Sequence, residues 1–347
     1  RISTGREKNQ QMEEVRIGII GAGRIAQVMS AAYSQIRECR LLAVTDIIRS
    51  AAERLAARFN IPIIHDDYRE LLASREVDAV LVCVPTQWHE EVTLAAAEAG
   101  KHIFCQKPMA LTVEQCERMT QAAEAKGLVL QVGFMLRFTP PFAEVKQRLD
   151  DGEIGTLIAI RSAVFGWEPT DEWFYDPARG GGVLIDTIIH TFDLYRWYAG
   201  EVRTIYAIGN AYVLEGAKKY QTPDNVMCSF RFKSGAMGEL YGTWTSGYGD
   251  KTLELYGTRG SIFVDLMNKQ GGQIFVKSRL PDRASPEGWS NLGLLWKYGY
   301  QAEAKQFVSC ILGESAPRAT GRDGIEAQKL ALLANQSLRS GLPIELE

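Results

Sequence analysis

Val15-Arg16-Ile17-Gly18-Ile19-Ile20-Gly21-Ala22-Gly23-Arg24-Ile25-Ala26-Gln27-Val28-Met29 is the stretch whose reading decides the fold. Val15 to Ile20 are largely β-branched and read as a short strand. Gly21-x-Gly23-x-x-Ala26 follows at once, and Ile25, Val28, Met29 and Ala32 then recur at the spacing of one helix face. A strand that passes through a glycine turn into a helix is the setting in which this spacing means dinucleotide binding. Gly21 allows the tight turn, Gly23 lets a pyrophosphate approach the backbone, and Ala26 lets helix and sheet pack closely. The helix N-terminus at Arg24 and Ile25 then faces the phosphates. Asp46 ends the next strand, 25 residues after Gly21, near the ~20-residue spacing of the acid that binds the adenosine ribose. A carboxylate there accepts from the ribose hydroxyls and repels a 2′-phosphate, so NAD is expected ahead of NADP, although Arg49 lies close by.

Outward from this unit, strands and helices alternate. Leu41 to Asp46 reads as a strand, and Ser50 with Glu53 suggests a capping box for the helix that follows. Asp78 to Val84, Lys101 to Cys105 and Leu128 to Phe134 are further strands, separated by helices at Glu90 to Ala99 and after Thr112, where Gln115 completes a second capping box. His65 reads as a loop residue. Such alternation implies a doubly wound parallel sheet covered by helices, with ligands at the carboxyl ends of its strands. After Thr139-Pro140-Pro141 and one helix the pattern changes to β-type segments from Leu157 to Leu266, with helices at Gly182 to Tyr198, Tyr300 to Gly313 and Gly324 to Arg339. The fold class is therefore α/β: a tail or tag remnant at 1–14, a Rossmann domain at 15–136, and an α+β domain with a large, mostly antiparallel open sheet at 137–347.

A chain of 347 residues with 46% hydrophobic and 23% charged residues has the profile of a globular protein of about two domains. Its formal net charge of −3 gives no long-range attraction to nucleic acid or to an anionic membrane. No apolar run approaches the ~20 residues of a membrane span. The six cysteines are scattered without a Cys-x-x-Cys pair, so no metal site of that type is expected. A soluble, cytoplasmic protein in a reducing compartment is the expectation.

Chemistry-bearing residues fall in two places. Gly180-Gly181-Gly182 precedes an apolar segment in which Asp186, His190 and Asp193 stand at i, i+4 and i+7, one face of a regular helix. An acid, a histidine and an acid in such a segment need partners or a function, because buried charge is costly; Asp193 suits a structural anchor. Lys107-Pro108 follows the strand ending at Cys105, where a nicotinamide would lie, and a lysine there can polarise a hydroxyl or carry a proton.

These stretches, with Val84-Pro85 and His89, Gly100-Lys-His-Ile-Phe-Cys-Gln-Lys-Pro108, Gln131-Val-Gly-Phe-Met-Leu-Arg-Phe138 and Asp176-Pro177, resemble the glucose–fructose oxidoreductase, inositol dehydrogenase and MocA family over nearly the whole chain from Val15. The resemblance implies NAD(P)-dependent chemistry at a sugar or polyol carbon and dimers or tetramers formed through the C-terminal sheet. It assigns the signature lysine to Lys107, the aspartate to Asp186 and the acid–base histidine to His190. Pro85, His89, Gln106 and Lys107 are expected to line the cofactor. Arg137, Trp167, Trp173 and Tyr248 are candidate substrate contacts, since aromatic faces stack on sugar rings. Two departures stand out: the usual Glu-Lys-Pro is Gln106-Lys107-Pro108, and the usual Asp-x-Gly-x-His carries Ile188 in place of glycine. The expected function is NAD-dependent oxidation of a hydroxyl on an inositol-like polyol or sugar. A redox-assisted glycosidase and a non-catalytic dinucleotide-sensing regulator are the alternatives.

Overall fold

The computed structural model describes residues 13–247, 251–266, 273–278, 290–291 and 295–346. Strands β1 (Val15–Ile20), β2 (Cys39–Thr45), β3 (Ile63–His65), β4 (Ala79–Val82), β5 (His102–Cys105) and β6 (Leu130–Val132) form one parallel sheet in the order β3-β2-β1-β4-β5-β6. The order reverses between β1 and β4, which opens a crevice at the carboxyl end of the sheet. His65 ends β3 rather than lying in a loop; three half-buried residues are too few to show an alternation. The Thr112–Gln115 capping box is present. The one expected at Ser50 is not: the helix starts at Arg49 because Asp46 Oδ1 accepts the Ile48 N–H at 2.7 Å and turns the chain early, leaving Ser50 inside the first turn.

The second sheet contains β7 (Leu157–Phe165), β8 (Val202–Asn210), β9 (Asn225–Phe232), β10 (Met237–Thr243), β11 (Lys251–Gly257), β12 (Gly260–Asp265), β13 (Gln273–Ser278), β14 (Ser290–Asn291) and β15 (Ile344–Glu345), in the order β14-β13-β12-β11-β7-β10-β9-β8-β15. Every pairing is antiparallel except the central one between β7 and β10. Ile160, Val164, Phe230, Leu240, Leu255 and Ile262 face inward in one core with the helices Ile189–Ala199 and Gly321–Ser340. The opposite face exposes Ile208 and Met227, which pair directly across β8 and β9, and Met237 further along β10.

The last third of the chain does not stay with the second sheet. Helix Leu295–Ile311 buries Ala304, Phe307 and Val308 in the core of the first, where Phe307 meets Phe104 and Tyr33 edge-on at ring-centroid distances of 5.6 and 6.4 Å. Thr320 bridges Gln131 of β6, and Ala319 and Ala327 are buried in the same core. The two sheets are thus tied together by packing as well as by the connection near residue 137. No helix among the described residues is long and apolar enough to cross a membrane.

Candidate active site

The turn after β1 has the geometry its glycines suggest. Gly21 sits at φ +95°, and a Cβ there would lie 2.6 Å from the Cys83 carbonyl oxygen, so only glycine fits. A Cβ on Gly23 would meet nothing within 4 Å, which leaves its backbone open to an approaching phosphate at the start of helix Arg24–Tyr33. Ala26 is fully buried beneath the turn. Asp46 accepts the Ala22 N–H on Oδ2 at 2.6 Å, so its carboxylate is pinned at the lip of the turn while each oxygen keeps a lone pair for a ribose hydroxyl. Arg49 is drawn away from this spot by Glu53 and Asp66. The open backbone at Gly23 and the pinned Asp46 fit a dinucleotide.

At the carboxyl end of β5, Lys107 precedes Pro108 and reaches across to the helical segment packed on the second sheet. Lys107 Nζ donates to Asp186 Oδ1 at 3.0 Å and to the Asp186 carbonyl at 2.6 Å, with both side chains about four-fifths buried. Asp186 lies in a π-helical turn, Leu184–Ile188, that runs into helix Ile189–Ala199. The three residues nevertheless take different partners. Asp186 goes to Lys107. Asp193, fully buried, goes to Arg137. Among the described residues His190 Nδ1 is buried with no partner, and the Asp186 carboxylate bonds to Lys107 and Thr187 rather than to the imidazole. Burial, reinforced by the charges of Lys107 and Lys251, pushes the His190 pKa well below 6.5 and keeps the ring neutral, the form that can accept a proton.

Ile188, standing where related motifs carry glycine, does not enter this space. It is fully buried against β10, where Gly242 makes room for it: a Cβ at 242 would lie 2.2 Å from Ile188 Cδ1 and 2.8 Å from Cγ1. Gly166 plays a similar part at the end of β7, since a Cβ there would come 2.8 Å from Trp244 Cδ1. Thr187, Trp244 and Lys251 thereby join the neighbourhood of Asp186 and His190. No spacing rule picks out Trp244 and Lys251, which come from the end of β10 and the start of β11, whereas Thr187 follows Asp186 directly in the π-helical turn.

Other expected site residues sit differently. Pro85 is exposed at the carboxyl end of β4 and starts the turn Thr86–Trp88. His89 is not on a cofactor surface: it is 2% exposed, with Nδ1 2.9 Å from the Pro108 carbonyl and Nε2 2.8 Å from the Val84 carbonyl, and it braces the Lys107-Pro108 turn against β4. Gln106 is buried under Gly133, whose added Cβ would lie 3.0 Å from Gln106 Oε1, and its Nε2 has no partner among the described residues. Arg137 is not available to a substrate. Its guanidinium is 5% exposed and donates to both Asp193 oxygens at 2.8 and 2.6 Å, to Asp323 at 2.9 Å and to the Arg318 carbonyl at 2.6 Å. Trp167 is 70% exposed and Trp173 stacks on Phe174, so neither is gathered round Lys107 by a contact the structure shows. Tyr248 lies outside the described residues.

Residues 15–134 match the family model "Oxidoreductase family, NAD-binding Rossmann fold", and residues 142–263 match "GFO/IDH/MocA C-terminal domain". The chain is 33% identical to the uncharacterized oxidoreductase YrbE of Bacillus subtilis, over 96% of this chain and 97% of that one. It is 30% identical to myo-inositol 2-dehydrogenase of Thermotoga maritima, over 96% and 99%. The solved structure of levoglucosan dehydrogenase with NADH and levoglucosan superposes with a TM-score of 0.87 over 96% of this chain and 99% of that one, and at 24% identity it shows the shared fold. The crevice, its glycine turn and the two matched domains together make the protein an NAD-binding oxidoreductase that belongs to the GFO/IDH/MocA family.

Proposed function

We propose that the protein oxidises a hydroxyl group of a cyclic polyol or sugar, with an inositol-like ring as first candidate. The observation that carries the reading is the Lys107–Asp186 ion pair at the carboxyl end of the dinucleotide-binding sheet, with the neutral His190 imidazole in the field of the same lysine. Lys107 orients and polarises the reacting oxygen, His190 takes the hydroxyl proton, and Asp186 holds Lys107 and offers oxygen to neighbouring substrate hydroxyls. The bound nicotinamide supplies the hydride acceptor. Relatives named for inositol and for levoglucosan support a polyol or sugar ring as the substrate class. Asp46 favours NAD over NADP.

A panel of inositols, monosaccharides and glycosides with each cofactor, followed by NADH or NADPH absorbance, tests the reading. Turnover of a polyol with NAD supports it; glycoside cleavage without net NADH would make the protein a redox-assisted glycosidase, and no turnover with intact NADH binding would make it a sensor. We further propose self-association through the open face of the second sheet, where the half-exposed Ile208 and Met227 line up with Tyr241 across β8, β9 and β10. Light scattering of the wild type and of Met227→Glu reads this, and a monomeric wild type would refute it.

A further inference from the structure

Asp186 has two carboxylate oxygens, and only Oδ1 faces Lys107. Oδ2 lies 3.0 Å from Thr187 Oγ1, and that hydroxyl lies 2.7 Å from Trp244 Nε1. An indole nitrogen can only donate, and a hydroxyl has a single proton. The direction of the chain is therefore fixed: Trp244 N–H points into Thr187 Oγ1, and the Thr187 proton points into Asp186. The indole itself has little freedom. Trp244 is 2% exposed, meets the Tyr175 ring edge-on at 5.4 Å and occupies the space that Gly166 leaves.

We propose that Thr187 is a positioning residue: its hydroxyl, set by the Trp244 indole, locks the Asp186 carboxylate in the orientation that presents Oδ1 to Lys107. The consequence for turnover rests on the dehydrogenase reading; the geometry does not. Without the lock, Asp186 is free to rotate and Lys107 keeps only its bond to the Asp186 carbonyl, so the ammonium is no longer held at one place in the site. Gly166, at the end of β7, serves the same end by admitting the indole.

Thr187→Val keeps the shape and removes both bonds; Thr187→Ser keeps the hydroxyl; Trp244→Phe leaves the hydroxyl without its orienting donor. Loss of one hydrogen bond to a charged group predicts about a ten-fold fall in kcat for Thr187→Val, with NADH affinity held. Thr187→Ser recovers most of that loss, and Trp244→Phe falls between. A purely structural threonine would instead lower the melting temperature of both Thr187 variants while leaving kcat per folded molecule unchanged, and that result overturns the proposal. Crystal structures of wild type and Thr187→Val with NADH read the lock without turnover. The expected result is that Asp186 Oδ1 leaves Lys107 in the variant alone, and an unmoved carboxylate overturns the proposal. If the wild type oxidises no polyol, the substrate reading fails while these two structures still decide the role of Thr187.

Discussion

Replacing Arg137 by methionine separates two roles that a sequence allows for an arginine after the last Rossmann strand. If Arg137 touched substrate, Arg137→Met would raise KM and leave the empty protein as stable as before. The structure puts the cost elsewhere. Asp193 is wholly buried, and both its oxygens are held by Arg137, so removing the guanidinium leaves a carboxylate in the interior with no cation in hydrogen-bond contact. Breaking a buried pair from one side costs about 3–5 kcal/mol. Asp323 is partly exposed and keeps its bonds to Thr320, so it adds little to the loss. Burial already pushes the Asp193 pKa up to about 6 against the pull of Arg137. With Arg137 gone the carboxyl rises further, the folded state binds more protons than the unfolded one, and the deficit relative to wild type narrows as the pH is lowered. Urea unfolding of the apo protein, followed by far-UV circular dichroism at neutral and at acidic pH, measures both effects. Arg137→Met with Asp193→Leu should return to within about 1–2 kcal/mol of wild type, because apolar residues of similar volume replace buried ion pairs at little cost. An unchanged urea midpoint in Arg137→Met, accompanied by a raised KM, would refute the reasoning.

Three further outcomes follow from the site. His190→Asn should lower kcat by about 10²-fold or more while NADH binding, measured by fluorescence, is kept; near-normal turnover removes His190 from the reaction. Because burial and two lysines hold the His190 pKa well below 6.5, the imidazole stays neutral as the pH falls through that value, and the acidic limb of kcat/KM for oxidation should lie below it; a limb at or above 6.5 contradicts the environment described. Asp46→Ser with Ile47→Arg should shift the kcat/KM ratio toward NADP, since Ile47 is fully exposed beside the ribose acid and a guanidinium there can pair with a 2′-phosphate. A wild type that already prefers NADP would sink the assignment to Asp46.

The first sheet was readable from the chain because its strands and helices announce themselves locally: β-branched runs, the Gly21 turn and the Thr112 cap need no distant partner. The short β3 and the edge strands β14 and β15 were not readable, since two or three residues carry no period. The helix at Leu295–Ile311 could be seen as a helix, but nothing in it says that Phe307 belongs with Phe104 and Tyr33. In the site, Lys107 and Asp186 are joined by tertiary structure alone. Spacing along the helix put Asp186, His190 and Asp193 together but could not say that Asp186 pairs with Lys107 while Asp193 pairs with Arg137. His89 and Arg137 show the limit of residue type as a guide. Both have the chemistry of a binding residue, and both spend it on internal partners.

Ile188 and Gly242 occupy a single volume from two sides, so their substitution is a question of order. Changing Gly242 to alanine first places a carbon 2.2 Å from Cδ1 and 2.8 Å from Cγ1 of the fully buried Ile188. Emptying position 188 first leaves a void, which costs about 2–5 kcal/mol when a buried isoleucine is truncated. A lineage moving between this arrangement and one with glycine in the helix therefore crosses a step of low stability whichever site changes first. The crossing is easiest from a background with stability to spare, or through valine at 188. Descendants of such a crossing should carry a side chain at 242 wherever they carry glycine at 188, a signature that can be sought by reconstructing ancestral sequences and measuring their melting temperatures in branching order.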